Sequence, residues 1–396
     1  MTGPVTRCQS CDSPDLDSAL WLGYAPSVND MRPIGEPARP YPMHPLELLR
    51  CGKCELVQLG FVAPVAEVFP ASYPYRSSTT KALRDNFADL AERVKARLGL
   101  KPTDLVIDIG GNDGNLLDHF AGHQRLNVTP EDMGELGVER GIPWLQSYWD
   151  KPAASAALAQ YGKARVVTAT NVFAHVPDPH GFVDAVLDVL TDDGLFVLEC
   201  HALSSVVDGL QWDTCYAEHL RYFAPRSLTY LLRQHGLYCR AMVEIPTHGG
   251  SFRSYWGRQS ADGMSLLIGD GELDLERFPR RVAESKADLW SLLSANHGAT
   301  ICGIGAPSRA STLISYTGLD HHIVPYICET EGSHKIGKFM PGTRIEVVDE
   351  DRLYRDNPEF AILFSHHISD ELIPKIRAKG YRGKFIVPLP RVEVIG

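Results

Sequence analysis

The amino-acid sequence predicts an α/β protein, with an N-terminal metal-binding segment followed by two units built on parallel sheets. Two observations support this prediction: two C-x2-C pairs lie near the N-terminus, and two separate regions alternate short apolar strands with helical patterns. Alternating strands and helices are typical of a parallel, doubly wound sheet. A chain of 396 residues also has the length of two or three domains.

The composition is that of an ordinary globular protein, because hydrophobic residues make up 44% of the chain and charged residues 22%. The formal net charge of −10 argues against a nucleic-acid-binding surface, which needs a dense basic patch. No apolar run approaches the roughly 18 residues that span a bilayer, and residues 1–7 lack the apolar core of a signal peptide. We therefore expect a cytoplasmic protein that binds neither nucleic acid nor membrane.

Four of the nine cysteines form a candidate metal site: Cys8, Cys11, Cys51 and Cys54. Each C-x2-C spacing places two sulfurs on one tight turn, and two such turns complete a tetrahedral site for Zn²⁺. A structural site of this kind is closed, so we assign the zinc no chemistry. The alternative is four unrelated buried thiols. Buried free thiols are the simplest interpretation of the others: Cys200, Cys215, Cys239, Cys302 and Cys328.

The elements of the two alternating units follow from hydrophobic periodicity and glycine punctuation. Residues 12–45, rich in proline and glycine, show little periodicity, as expected of a ribbon held by a metal. In the first unit we predict helices at 81–98, 115–120, 181–190 and 226–235 and strands at 105–109, 166–169, 195–199 and 238–244. A helical stretch at 270–298 separates it from the second, with strands at 300–303, 323–328, 360–364 and 385–387 and a helix at 308–316.

The glycine turn after the first of these strands is the second candidate site. Small residues between a strand and a helix let backbone N–H groups approach a ligand closely. The stretch D-I-G-G-N-D-G at 108–114 is not the dinucleotide pattern G-x-G-x-x-G, and it resembles motif I of class I S-adenosylmethionine (SAM) methyltransferases. The alternative is an ordinary tight turn.

An ordered set of motifs runs along nearly the whole chain. Besides the cysteine pairs and V-I-D-I-G-G-N-D-G at 106–114, it comprises Y-P-Y-R-S-S at 73–78, N-V-F-A-H-V-P-D at 171–178, D-T-C-Y-A-E-H at 213–219, T-H-G-G-S-F-R at 247–253, G-I-G-A-P at 303–307 and P-G-T at 341–343. This set resembles the SAM-dependent sugar C-methyltransferases of deoxysugar biosynthesis. That family methylates a ring carbon of a nucleotide-linked ketosugar, as in mycarose or tetronitrose formation.

The resemblance implies a domain layout and partners. The layout is a zinc-binding domain at 1–70, a Rossmann-like class I SAM methyltransferase domain at 71–246 and a Rossmann-like α/β domain at 247–396. The implied cofactors are SAM and structural Zn²⁺, and the implied partner is a nucleotide-sugar substrate carrying thymidine diphosphate.

Two positions depart from the family pattern. The family commonly has Gly-Val/Ile-Glu-Pro after the second strand, where the acid holds the ribose hydroxyls, and here Thr129 stands in the place of that Glu. Glu131 and Asp132 are the candidates to substitute for it. The family's Tyr-His-Glu-His motif reads Y-A-E-H at 216–219, so its second position is Ala217.

Methylation of a carbon next to a ketone requires a base that removes its proton and a donor that stabilises the enolate oxygen. His219 is the predicted base, because an imidazole can be neutral near pH 7. Tyr216 is the predicted donor to the oxyanion, and Glu218 would orient an imidazole or bind the sugar. By resemblance, His175 is a second active-site histidine. In isolation, such histidines are more often surface or hydrogen-bonded core residues.

We also predict binding residues, in part from the resemblance and in part from the residue types. For SAM they are Asp108, Gly110, Asn112, Asp113, Asn171, Tyr75 and Thr129. For the substrate they are His248, Gly249 and Tyr222. These last three have structural alternatives, since the His248–Gly249 segment can be a simple turn and Tyr222 a core aromatic with a satisfied hydroxyl.

Three functions are compatible with the sequence. The first is SAM-dependent C-methylation of a nucleotide-linked 4-keto-deoxysugar at the carbon next to the ketone, through a base-generated enolate. The second is a nicotinamide-dependent sugar oxidoreductase, although neither 110–115 nor 303–308 reads G-x-G-x-x-G. The third is a non-catalytic binding protein on a methyltransferase fold, which Thr129 would favour.

Overall fold

The structure, a computed structural model, describes residues 2–37, 39–68, 78, 80–259, 265–266, 271 and 273–396. Its N-terminal ribbon consists of β1 (Gly3–Pro4), β2 (Leu16–Pro26), β3 (Met43–Cys51), β4 (Val57–Leu59), β5 (Phe61–Val62) and α1 (Val65–Val68). Side chains alternate along β2, with Leu20 and Leu22 buried and Trp21 exposed between them. The expectation of little periodicity over 12–45 is therefore wrong, because a strand of 11 residues lies within this segment.

The central part contains most of the alternating elements. Helix α2 (Lys81–Leu98) has its predicted bounds, buries the stripe that includes Phe87 and Leu90, and ends at Gly99 in the left-handed conformation. The following elements are β6 (Leu105–Ile109), α3 (Asn115–Asp118), β7 (Gln124–Val128), α4 (Glu135–Val138), β8 (Trp144–Leu145), α5 (Lys151–Tyr161), β9 (Ala164–Thr170), α6 (Pro179–Val189), β10 (Leu190–His201), α7 (Leu203–Val207), β11 (Arg221–Tyr222), α8 (Pro225–Arg233), β12 (Tyr238–Ile245), β13 (Ser251–Gly257) and β14 (Ser265–Leu266).

The described strands of this part form an eight-stranded sheet in the order β14-β12-β13-β10-β9-β6-β7-β8. Strands β6 to β10 within it are parallel, but β13 runs antiparallel to both of its neighbours, β10 and β12. The expectation of a parallel sheet is thus corrected at one strand. The reason is the connection: only residues 246–250 join β12 to β13, and so short a link can join only antiparallel strands.

Strand β11 leaves the central part and joins the ribbon. It pairs antiparallel with β4, with Arg221 opposite Gln58 and Tyr222 opposite Val57. The described strands of that sheet have the order β11-β4-β3-β2. The residues that follow His219 are therefore held by the N-terminal ribbon.

The C-terminal part is a second, mostly parallel sheet. Its elements are α9 (Phe278–Ala295), β15 (Ile301–Ile304), α10 (Ser308–Thr317), β16 (Tyr326–Glu329), β17 (Lys338–Phe339), β18 (Glu346–Asp349), α11 (Asp351–Asp356), β19 (Phe360–Leu363), α12 (Ser369–Ala378), β20 (Lys384–Val387) and β21 (Glu393–Ile395). The described strands have the order β17-β18-β16-β15-β19-β20-β21, with the edge strands β17 and β21 antiparallel. The predicted α/β class is confirmed in both sheets.

A buried ion pair fixes α2 across the central sheet. The Arg253 Nε donates to Glu199 Oε1 at 2.6 Å, the Asn86 Nδ2 donates to Glu199 Oε2 at 2.9 Å, and the Arg253 Nη1 reaches Asp89 at 2.7 Å. The cost of removing these charges from water offsets much of their Coulomb attraction, but each charged group is hydrogen-bonded. The network therefore fixes Glu199, which lies near the carboxyl end of β10, two residues before His201.

Candidate functional site

The four N-terminal cysteines form one cluster. Their ligand atoms all lie within 4.8 Å of one another, and the Sγ atoms of Cys8 and Cys54 are 3.4 Å apart. In a tetrahedral zinc–thiolate site with Zn–S bonds of about 2.3 Å, the sulfurs are about 3.8 Å apart. The cluster therefore fits the zinc site that the spacing predicts.

The two turns that carry the cysteines repeat the same geometry. In the first, the Ser10 N–H points at the Cys8 Sγ at 3.4 Å, and Asp12 takes a left-handed φ of 55°. In the second, the Lys53 N–H points at the Cys51 Sγ at 3.4 Å, and Glu55 has φ 60°. Backbone N–H groups aimed at sulfur stabilise thiolates, which are the form that binds the metal.

The cofactor turn is a cradle of unusual backbone conformations. Gly110 has φ +67° and Asn112 has φ +49°. A Cβ on Gly111 would lie 2.6 Å from both Asn127 Oδ1 and Asp108 Oδ2, so only glycine fits there. The buried Asn127 Oδ1 has no hydrogen-bond partner within the described part of the chain. The glycine turn leaves room for a ligand close to the backbone, and the Asn127 Oδ1 beside it can accept a hydrogen bond. Both features fit the amino-acid part of a bound SAM.

Asp108 lies beneath this turn. It is 1% exposed and accepts a hydrogen bond of 2.7 Å from the Thr168 hydroxyl. Burial raises its pKa to about 7. Asp113 is also buried. Asp108 and Asp113 are therefore buried under the turn.

The structure distinguishes between the two acids that could replace the family's ribose-binding Glu. The buried Thr129 hydroxyl donates to Glu131 Oε2, which brings that carboxylate to the end of β7. The Asp132 carboxylate instead accepts from Gln146 Nε2 at 2.8 Å. Glu131 is therefore the better candidate for the ribose.

Asn171 directly follows β9, which pairs with β6, so it lies beside the cofactor turn at the end of β6. It has a left-handed φ of 57°, and its N–H donates to the Glu199 carbonyl at 2.9 Å. The next residue, Val172, packs against Gly110. Tyr75 lies outside the described residues.

The predicted catalytic residues come together at the carboxyl edge of the central sheet. The ring of His219 lies 4.1 Å from that of Tyr216 and 4.9 Å from that of His175, centroid to centroid. The His219 Nδ1 donates to the Thr214 carbonyl at 2.8 Å, and the His175 Nδ1 donates to the Glu218 carbonyl at 2.8 Å. A carbonyl accepts only, so the neutral His219 carries its proton on Nδ1 and presents Nε2 as a proton acceptor.

Electrostatics keep this cluster neutral. Burial, together with the nearby His175, lowers the pKa of His219 well below its usual value. Burial also raises the pKa of Glu218 to about 8, and this side chain is only 3% exposed. At pH 7 the His219 imidazole is therefore unprotonated and the Glu218 carboxyl is protonated.

A residue of the N-terminal ribbon completes this cluster. The Asn29 Nδ2 donates to Glu218 Oε1 at 2.6 Å and also reaches the Val68 carbonyl. Sequence reasoning missed Asn29, because a single polar residue in a loop carries no pattern. The Glu218 carboxyl meets Asn29, and Glu218 orients the His175 imidazole through its backbone carbonyl.

Two of the predicted substrate residues lie near His219: the Tyr222 ring is 6.3 Å from the His219 ring, centroid to centroid, and His248 is close enough to contribute to the lowered pKa of His219. Tyr222 is 3% exposed and packs in the apolar core, but its buried hydroxyl has no hydrogen-bond partner within the described residues, so it lacks the satisfied hydroxyl that the structural alternative expected. His248 and Gly249 take left-handed conformations, with φ 55° and 85°. Although His248 keeps solvent-accessible surface, crowding by protein and the nearby Arg309 lower its pKa to about 4.

His201 and Arg309, which the sequence analysis did not assign, lie near His248. His201 ends β10, its Nε2 is buried without a partner in the described chain, and burial and Arg309 lower its pKa to about 3. A cavity of about 250 Å³ is lined in part by Gln211, Gly249 and His367. A larger cavity of about 860 Å³ lies between the ribbon and α10, and no predicted site residue lines it.

Three family models match consecutive parts of the chain. The zinc-binding domain model matches residues 8–69, the methyltransferase domain model matches 75–241, and the C-methyltransferase C-terminal domain model matches 270–390. The chain is a SAM-dependent C-methyltransferase. The resemblance drawn from the motifs is confirmed, as are SAM as the cofactor and the four-cysteine cluster as the zinc site. The oxidoreductase and the non-catalytic binding protein are set aside.

Known proteins similar to this C-methyltransferase include C-methyltransferase NovU from Streptomyces niveus. The two are 27% identical over 411 residues, which cover 99% of this chain and 97% of that protein. Similar solved structures include magnesium protoporphyrin IX methyltransferase (ChlM) from Synechocystis PCC 6803 with bound SAH, at 15% identity, TM-score 0.35, and coverage of 44% of this chain and 83% of that one. N-methyltransferase NodS from Bradyrhizobium japonicum WM9, in complex with S-adenosyl-L-homocysteine, matches at 12% identity, TM-score 0.34, and coverage of 46% and 90%.

Within the described part of this C-methyltransferase, none of the helices combines the length and the apolar character that crossing a bilayer requires.

The zinc assignment predicts that the wild type binds one Zn²⁺ per chain and that Cys8→Ser loses most of it and unfolds more easily. A serine hydroxyl replaces a thiolate poorly, and metal binding contributes directly to folding. Metal analysis and thermal unfolding measure both effects. Cys239→Ser is the matched control, because Cys239 is a buried free thiol outside the cluster. Full zinc content and stability in Cys8→Ser would refute the assignment.

The cofactor assignment predicts that Gly110→Val lowers SAM affinity more than tenfold in calorimetry. A Cβ there would lie 2.4 Å from Val172 Cγ2, at a φ of +67° that β-branched residues avoid. Gly122→Val is the control, because Gly122 has φ +92° with open space around it. It should lose stability and keep SAM binding. Undiminished affinity in a folded Gly110→Val protein would move the cofactor elsewhere.

The raised pKa of Glu218 makes its contribution to stability depend on pH. The folded protein binds this proton more tightly than the unfolded chain, so stability falls as the pH rises from 4.5 to about 8. The slope from one such group is at most about 1.4 kcal/mol per pH unit. Glu218→Gln cannot titrate, so its free energy of unfolding in urea should fall less than that of the wild type between pH 5 and 8. The exposed Glu92→Gln should follow the wild type, and an identical fall in Glu218→Gln would show that the carboxyl is not held neutral.

Proposed function

We propose that this C-methyltransferase acts on a nucleotide-linked 4-keto-deoxysugar, with thymidine diphosphate as the nucleotide, at the carbon next to the ketone. The observation that carries the proposal is the hydrogen bond from His219 Nδ1 to the Thr214 carbonyl. It leaves Nε2 as a neutral acceptor in a site where the pKa of His219 is lowered by burial. Removal of a proton next to a ketone needs such a base.

In the proposed reaction, His219 Nε2 takes the proton from the carbon next to the ketone. The C–H electron pair forms the enolate, whose negative charge is on the former ketone oxygen. That carbon then forms the new bond to the methyl group. Bound SAM supplies this methyl from a sulfonium centre, and S-adenosylhomocysteine is the product that leaves.

Two donors in the cluster suit the enolate oxygen. Tyr216 lies against the His219 ring, so a phenol O–H and the base can act on adjacent atoms of one substrate. Glu218, with its pKa raised to about 8, is protonated at pH 7 and carries a second O–H. His175 is the second histidine, and its imidazole is oriented by the Glu218 carbonyl.

A phosphate-bearing substrate agrees with the groups around His248. The imidazoles of His201, His248 and His367 lie close enough to the Arg309 cation for it to lower the pKa of each. An anionic diphosphate bound near them would be attracted to this cation and would raise the pKa of each imidazole. We propose that His248 and Gly249 lie along the nucleotide-sugar and that Tyr222 supports the wall behind His219.

The remaining assignments are part of the same proposal. The turn from Asp108 to Asp113, including Gly110 and Asn112, would hold SAM together with Asn171 and Tyr75. Glu131, held by Thr129, would replace the family acid at the ribose. The domain bounds predicted from the sequence are 1–70, 71–246 and 247–396, but the second boundary must lie after β14, because β13 pairs with β10 and β12, and β14 pairs with β12, in the central sheet.

The decisive experiment incubates the protein with SAM and a panel of nucleotide ketosugars. Mass spectrometry should find one added methyl on a 4-keto-deoxysugar. His219→Asn should still fold and bind SAM, yet turn over about 10²–10⁴-fold more slowly, the usual cost of losing a positioned base. It should also stop exchanging the sugar's proton next to the ketone with deuterated water, provided that the wild type exchanges it.

His297→Asn is the control for this series, because that histidine is exposed and lies just beyond the end of α9, outside the cluster. Exchange at an undiminished rate in His219→Asn would move the base to another group, with His175 next to be tested. Wild-type turnover in both single variants would exclude an enolate mechanism at this site.

A further inference from the structure

Asp213 is a fully buried carboxylate that none of the catalytic roles uses. It is 0% exposed, and three donors from the C-terminal part converge on it. The Arg309 Nε and Nη2 bind its two oxygens at 2.8 and 2.7 Å, and the His366 Nε2 binds at 2.7 Å. Burial opposes its ionisation, yet Arg309 and His366 hold the pKa of Asp213 well below its usual range. A bidentate pair of this kind fixes geometry as well as charge.

The segment that Asp213 belongs to faces His219. Asp213 lies in a 3₁₀ turn, Trp212–Thr214, which is closed by hydrogen bonds from the Thr214 N–H and hydroxyl to the Gln211 carbonyl. The Thr312 hydroxyl, also from the C-terminal part, donates to the Cys215 carbonyl at 3.2 Å. The turn therefore has little freedom, and the Thr214 carbonyl within it accepts the hydrogen bond from His219 Nδ1.

We propose that Asp213, clamped by Arg309 and His366, is a positioning residue that fixes the His219 tautomer through the Thr214 carbonyl. The proposal rests on the proposed function in one respect, which is that His219 acts as the base. The C-terminal part thereby takes a share in the chemistry through the hydrogen bonds of Arg309 and His366 to Asp213.

The physical reason concerns the proton on the imidazole. A neutral histidine exchanges its proton between Nδ1 and Nε2, and only a fixed acceptor at Nδ1 keeps Nε2 open. When Arg309 or Asp213 is replaced, a buried charge loses its partner and the turn shifts. The Nε2–H tautomer then becomes populated, and it cannot accept a proton from the substrate.

The test compares Asp213→Asn and Arg309→Gln with a matched control, Arg281→Gln. Arg281 also joins the C-terminal part to the central one, through the Val207 and Asp208 carbonyls, and does not contact the turn. The tautomer of His219 is measured by ¹⁵N NMR of histidine-labelled protein. Turnover, substrate-proton exchange and the Kd for SAM are measured on the same proteins.

We expect Asp213→Asn and Arg309→Gln to populate the Nε2–H tautomer and to lower kcat by about 10- to 100-fold, with the Kd for SAM within twofold of the wild type. Arg281→Gln should lower only the melting temperature. Arg309→Lys keeps the charge and loses the bidentate geometry, so it should fall between wild type and Arg309→Gln. If Asp213→Asn and Arg309→Gln do not fold, the same measurements on Arg309→Lys test the proposal.

The outcomes separate the two proposals. An unchanged tautomer in folded Asp213→Asn, or an Arg281→Gln protein that shifts the tautomer equally, would overturn the positioning role. A changed tautomer with unchanged proton exchange would leave the clamp as a feature of structure and overturn His219 as the base. Loss of exchange in His219→Asn with no effect in the clamp variants would keep the proposed function and reject this inference.

Discussion

The pairing of β4 with β11 is the constraint on which the arrangement of this site depends. It joins the zinc-bearing ribbon to the residues directly after His219. The Leu59 N–H donates to the Leu220 carbonyl at 2.9 Å, and the Leu220 N–H donates to the Ala174 carbonyl at 2.9 Å. One residue therefore links the ribbon, the loop of His175 and the loop of His219. A zinc ion bound by the four cysteines would hold the ribbon in shape, and through this junction it would stabilise the loops of both histidines.

Arg221 strengthens the same junction. It is 1% exposed, its Nη1 donates to Gln9 Oε1 at 2.6 Å, and its Nη2 donates to the Val176 carbonyl. Gln9 lies between two zinc ligands, and Val176 follows His175. Burial lowers the pKa of Arg221 to about 9, which leaves it charged at neutral pH. A buried cation with such partners fixes positions more than it adds stability.

The sequence predicted those features that are encoded locally. Helix α2 and strand β6 were predicted with their observed bounds, and the four cysteines with their shared site, because each depends on spacing over a few residues. The motifs also placed Tyr216, Glu218 and His219 together. The roles of Asn29 and Arg309 were not predicted, because their partners lie 189 and 96 residues away along the chain and no local pattern marks such contacts. Strand β2 was not predicted, because glycine and proline residues in this segment obscured the alternation of its side chains.

The contact between Asn29 and Glu218 also has a consequence for synthesis. During translation Asn29 leaves the ribosome 189 residues before its partner, and Asp213 leaves it 96 residues before Arg309. Contacts so distant along the chain form late, after the local elements have folded. The nascent chain can therefore fold its ribbon and its central sheet early, whereas the pair of Arg309 with Asp213 cannot form until the C-terminal part has emerged.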